Sequence, residues 1–96
     1  MEFEFTIPYS HPSLAGHFPG NPVVPGVVIL DEVLQCISDT YMNRKVSGFT
    51  AVKFIAPLKP EQKVNVLLKQ KNNVINFECL MDTKIITNGS IKLDGI

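Results

Sequence analysis

The stretch His11-Pro12-Ser13-Leu14-Ala15-Gly16-His17-Phe18-Pro19-Gly20-Asn21-Pro22-Val23-Val24-Pro25-Gly26-Val27-Val28-Ile29-Leu30-Asp31-Glu32-Val33-Leu34-Gln35 decides the fold. It holds four of the seven prolines (Pro12, Pro19, Pro22, Pro25) and three of the six glycines (Gly16, Gly20, Gly26). Each proline fixes its own φ and turns the residue before it away from the helical region. The first half is therefore neither helix nor central strand, but a long loop of nearly dictated shape. It delivers His17 and then a helix that starts near Pro25-Gly26.

From Val27 to Met42 there is no proline or glycine, and positions 27, 28, 29, 30, 33, 34, 36 and 37 are apolar. That is too broad for a one-sided surface helix and predicts one buried on most sides. Asp31, Gln35 and Ser38 nonetheless fall at i, i+4 and i+7, a single polar line down one face. A carboxylate buried among apolar side chains needs a partner or a purpose. The apolar neighbours of Asp31 place it inside and Glu32, about 100° round the helix, on the surface. The loop thus presents an imidazole and the helix behind it a carboxylate.

Around this centre the chain alternates. Residues 2 to 8 set Phe3, Phe5 and Ile7 against Glu2, Glu4 and Thr6, the pattern of a half-buried strand ended by Pro8. Arg44 and Lys45 suit the negative end of the helix, and Gly48 breaks the pattern. Strands are predicted at Phe49 to Pro57, Lys63 to Lys71, Val74 to Met81 and Ile85 to Leu93. The turns fall at Lys59-Pro60-Glu61-Gln62, Asn72-Asn73 and Asp82-Thr83-Lys84, and Asn88-Gly89 reads as a bulge within the last strand. One strand, a loop, a long apolar helix and then a meander make this an α+β fold. The expectation is a single domain over residues 1–96, with an antiparallel curved sheet around one long buried helix.

Composition narrows the function. Nine basic and nine acidic residues cancel, and no Arg/Lys run offers a track for phosphates, so no nucleic-acid partner is expected. At 45% hydrophobic and 19% charged, 96 residues are apolar for so small a body, which favours association. Cys36 and Cys79 are too few for a disulfide framework or a structural zinc site and read as two buried reduced thiols. The start Met1-Glu2-Phe3-Glu4-Phe5 is not a signal peptide, and no apolar run is long enough for membrane insertion. A cytoplasmic protein without metal or cofactor is expected.

Gly16-His17-Phe18-Pro19-Gly20-Asn21-Pro22-Val23-Val24-Pro25-Gly26-Val27-Val28-Ile29-Leu30-Asp31, followed by Gln35, resembles the signature of the bacterial β-hydroxyacyl-(acyl carrier protein) dehydratases of the FabA/FabZ type. More weakly, the likeness runs to about residue 93 through Val52-Lys53-Phe54-Ile55-Ala56-Pro57. The resemblance implies a hotdog fold and dehydration of a (3R)-3-hydroxyacyl thioester on acyl carrier protein to the trans-2-enoyl thioester, in fatty-acid, aryl-polyene or polyketide-type synthesis. It makes His17 the base, Asp31 the acid, and the amides of Gly26 and Val27 the holders of the thioester carbonyl. Phe18 would keep the site dry, and Gln35 would orient the acid. It also implies a homodimer, alone or as a dimer or trimer of dimers, in which each site takes its histidine and its acid from different subunits. His11, before Pro12 and without a matching acid, is structural. Asp at position 31 is a feature of the FabA branch, where the FabZ branch has Glu, yet this chain is much shorter than that branch. The alternatives are a hotdog acyl thioesterase, which would turn its carboxylate on water, and a non-catalytic acyl-thioester-binding subunit. Basic residues Arg44, Lys45, Lys53 and Lys59 are the candidates for docking an acidic carrier.

Overall fold

The computed structural model describes residues 2–14, 22–41 and 45–94. Its elements run β1 (Glu2–Thr6), a 3-10 turn (Pro12–Leu14), α1 (Gly26–Thr40), β2 (Val46–Phe54), β3 (Lys63–Lys71), β4 (Val74–Met81) and β5 (Lys84–Leu93). The five strands form one antiparallel sheet in the order β1-β3-β4-β5-β2.

Alternation builds the sheet. Val64, Val66 and Leu68 of β3 and Ile75, Phe77 and Cys79 of β4 are buried, and the residues between them are not. Both short connections rest on a residue that tolerates the left-handed region, Asn72 at φ 57 and Asp82 at φ 54. Those two strands, their inward-facing residues and their turns match the sequence reading. β2 starts earlier and ends earlier than predicted. It passes through Gly48 because irregularities in its pairing with β5, between Val46 and Gly48 and between Phe49 and Ala51, absorb the breaks in its pattern.

No irregularity falls at Asn88-Gly89. Both residues pair in register with Glu78 and Phe77, and the slip in β5 lies between Thr87 and Ile85. Glycine stands at 89 for space. A Cβ there would run into the Ala51 carbonyl oxygen and come within 2.9 Å of the Phe77 ring.

The helix packs on one face of this sheet through Val28, Ile29, Val33 and Ile37. Each such burial stabilises by about 1.5–3 kcal/mol. Val27, Asp31, Gln35 and Ser38 form an exposed line along the other side, with Val27 66% exposed, and Leu30 and Leu34 are half-buried. The helix is thus one-sided within the chain, against the expectation of burial on most sides. A single sheet can cover only one face, so the surplus apolar residues Val27, Leu30 and Leu34 are left uncovered or partly covered.

Candidate active site

Pro25 precedes the helix at φ −59 and ψ 145 and has no side-chain acceptor to offer, so no cap closes the first turn. The N–H of Val28 donates to the Pro25 carbonyl at 3.0 Å. Among the described residues, the N–H groups of Gly26 and Val27 meet no acceptor. Two open amides at the positive end of a helix dipole suit a carbonyl oxygen that gains negative charge.

Beside them lies a half-open apolar cavity of about 380 Å³, lined by Val23, Val24, Gly26, Ile29, Phe54 and the segment that follows to Leu58. The Val24 N–H donates to the Leu58 carbonyl at 2.8 Å and pins the end of the loop to that segment. Gly26 lets the Phe54 ring close on the helix start, since an ideal Cβ would sit 2.6 Å from its Cζ. Ile55 and Ala56 both donate to the Ile86 carbonyl, at 2.8 and 3.2 Å, which ends β2 and turns the chain across the cavity mouth. The sequence reading runs a strand through to Pro57, whereas the strand ends at Phe54 and the cavity wall continues to Leu58. The sequence signal for the wall is Pro57 directly after an apolar run; in the structure Phe54 and Ile55 are 53% and 49% exposed.

Asp31 is exposed and Glu32 half-buried, the reverse of the sequence expectation. The exposed line is centred on Asp31, and Glu32 falls beside the buried stripe of Val28 and Val33. The apolar pocket expected around Asp31 is therefore not built by its own chain. Asp31 lies two residues from Ile29, hence about 160° around the helix from the cavity lining, and about 7.5 Å along the axis from Gly26. Among the described residues, one chain brings the amides and the cavity together, but not Asp31. Gln35 donates to Asp39 Oδ1 at 3.3 Å, one turn onward, rather than to Asp31 one turn back. His17 and Phe18 lie outside the described residues, as does Arg44. Lys45, Lys53 and Lys59 are exposed.

His11 has a structural task. Ser13 N–H donates to its Nδ1 at 3.1 Å, and Ser13 Oγ lies 2.7 Å from the same atom, closing the 3-10 turn. Cys36 and Cys79 are free. Burial first, and then Cys36, push the Cys79 thiol up to about 12. Burial first, then Glu32 and Asp39, raise that of Cys36. Cys79 is fully buried as expected, while Cys36 is only half-buried. No helix among the described residues is long and apolar enough to cross a membrane.

Comparison with known proteins bears on this geometry. Residues 1–90 match the family model of ApeI-like proteins, described as ApeI dehydratase. The chain is 30% identical to the 3-hydroxyacyl-[acyl-carrier-protein] dehydratase FabZ of Aliarcobacter butzleri, over 90% of this chain and 71% of that protein. It is 35% identical to the FabZ of Ehrlichia chaffeensis, over 76% of this chain but only 57% of that protein. Among solved structures, the dehydratase heterocomplex ApeI:P from Xenorhabdus doucetiae superposes with a TM-score of 0.86 at 24% identity, covering 98% of this chain and 86% of that one. The sheet order, the helix packed on it and these likenesses agree, and the chain belongs to the ApeI-like family of dehydratases, with their hotdog fold.

Proposed function

We propose that the protein removes water from a (3R)-3-hydroxyacyl thioester carried on acyl carrier protein and leaves the trans-2-enoyl thioester. His17 takes the C2 proton. The electron pair left at C2 forms the C2–C3 double bond as the C3–O bond breaks, and Asp31 protonates the departing hydroxyl so that it leaves as water. The Gly26 and Val27 N–H groups hold the thioester carbonyl, which carries the charge that develops between these events. Phe18 keeps the base dry. No metal or cofactor enters these steps.

One observation carries this reading. The acid stands on the exposed line of the helix, turned away from the cavity of its own chain. A second subunit laid on that line would cover Val27, Leu30 and Leu34 and bring its own loop and amides to Asp31. The edge strand β2 supports such pairing, for it exposes Val46 and Phe54 and carries one charge, Lys53, whereas β1 at the other edge is guarded by Glu2 and Glu4. We therefore assign a homodimer, in the cytoplasm, that docks an acidic carrier protein through Lys45, Lys53 and Lys59 together with Arg44.

The test is to incubate the protein with 3-hydroxyacyl carrier protein and follow enoyl absorbance and free thiol together. Enoyl product without thiol release is the expected result. Thiol without enoyl product makes the protein a thioesterase, and tight binding without turnover makes it a carrier-binding subunit.

A further inference from the structure

Among the described residues Thr87 is the one buried polar side chain, at 0% exposure, and its Oγ1 has no hydrogen-bond partner. The alternation of β5 places it on the helix side of the sheet, in line with Leu93, Ile91 and Gly89. A hydroxyl enclosed by apolar groups and left unpaired costs stability, and valine would fill nearly the same space without that cost. The fold alone gives no reason for threonine here.

Its position gives one. Thr87 lies directly opposite Phe54 in the β2–β5 register and opposite Cys79 in the β4–β5 register. Side chains so paired have their Cβ atoms about 5 Å apart on one face of the sheet. Phe54 lines the apolar cavity and lies against Gly26. The hydroxyl therefore sits one strand further under the helix than the cavity wall. In that row only the Phe54 ring stands between the two, and at 53% exposure the ring is not locked by the core. Thr87 does not itself line the cavity, so an acyl chain held at the helix amides would reach the hydroxyl only by displacing the Phe54 ring, and would there meet an unpaired donor instead of hydrocarbon.

We propose that Thr87 is a specificity-determining residue that selects acyl chains bearing an oxygen acceptor on the tail over plain hydrocarbon tails. The identity of the ligand as an acyl thioester rests on the dehydratase reading. A hydrocarbon tail leaves the hydroxyl unpaired in the complex, and a keto oxygen at the right carbon pairs with it. The difference between one buried neutral hydrogen bond and none corresponds to a preference of about tenfold.

The experiment measures dissociation constants by calorimetry for non-reactive thioether analogues of acyl-pantetheine, one with an alkyl tail and a series with a keto oxygen at successive tail positions. Wild-type protein is expected to bind one member of the series about tenfold tighter than the alkyl analogue. T87S should keep that ratio. T87V should bring it to about one, hold the alkyl analogue at least as tightly as wild type, and melt a few degrees higher. A ratio that is the same in wild type and T87V at every position overturns the proposal. Failure of wild type to bind any analogue overturns it together with the reading it rests on. Selective binding lost in T87V, in a protein that yields no enoyl product, keeps the tail selection and removes the dehydratase assignment.

Discussion

Gly89→Ala isolates what the sheet demands of a single position. In open space the change would stabilise by about 0.4–1 kcal/mol, because alanine restricts the unfolded chain. At Gly89 the new methyl meets the Ala51 carbonyl oxygen and lies 2.9 and 3.0 Å from two atoms of the Phe77 ring, against a comfortable contact of about 3.5–4 Å. Neither neighbour can give way. Phe77 is 1% exposed and held edge-on to Phe49 at 6.1 Å between ring centroids. The Ala51 oxygen is backbone, and moving it disturbs the pairs Val52–Gly89 and Ala51–Ser90 that hold β2 to the sheet. Overpacking of a tight core costs about 1–3 kcal/mol, and two rigid neighbours place this case at the upper end. A net loss of about 2–3 kcal/mol should lower the melting temperature of so small a domain by roughly 10–20 °C. Gly26→Ala is the contrast. Its methyl also overlaps a ring, at 2.6 Å, but the half-exposed Phe54 can swing away, so stability should change by less than about 1 kcal/mol. Thermal melts and urea titrations of both variants decide the matter. A Gly89→Ala protein that melts within about 2 °C of wild type would refute the packing account.

Asp31→Asn should abolish dehydration with little effect on melting, and Glu32→Gln should keep activity within a few-fold; the opposite pattern of rates would move the acid to position 32. With a basic docking patch, KM for carrier-bound substrate should rise with salt more than KM for a small thioester analogue, and equal salt dependence would remove the patch. Cys79 should resist alkylation in the folded protein at neutral pH, since its thiol ionises near 12 against 9.0 unfolded. The same raised value means that its contribution to stability is complete below pH 9.0 and is lost as pH rises toward about 12, which urea titrations at increasing pH can follow. Rapid labelling of Cys79 at pH 7 without unfolding would contradict its burial.

Much of the sheet was legible because period-2 alternation and turn chemistry are local. Lys63 to Lys71, Asn72-Asn73 and Val74 to Met81 needed nothing beyond their own side chains. β2 was less so, since the pairing irregularities that carry it through Gly48 depend on a partner strand far along the chain. The helix shows a different limit. Its apolar count foretold that Val27, Leu30 and Leu34 need cover, but a pattern cannot say whether the cover comes from the same chain or another. That is why Asp31 was placed inside and Glu32 outside. Thr87 was invisible for a related reason: on a strand a threonine passes for a good β-former, and only the fold shows its hydroxyl enclosed and unpaired.

The central claim is that His17 of one subunit and Asp31 of another make one dehydration site. Its most direct measurement mixes two inactive proteins, His17→Ala and Asp31→Asn, under conditions where subunit exchange is shown by co-purification of differently tagged chains. Random exchange makes half of the dimers mixed, and each mixed dimer has one intact site of two, so enoyl formation should return to about a quarter of the wild-type rate. No recovery in a mixture whose exchange has been demonstrated would place both groups within one chain and contradict the shared site.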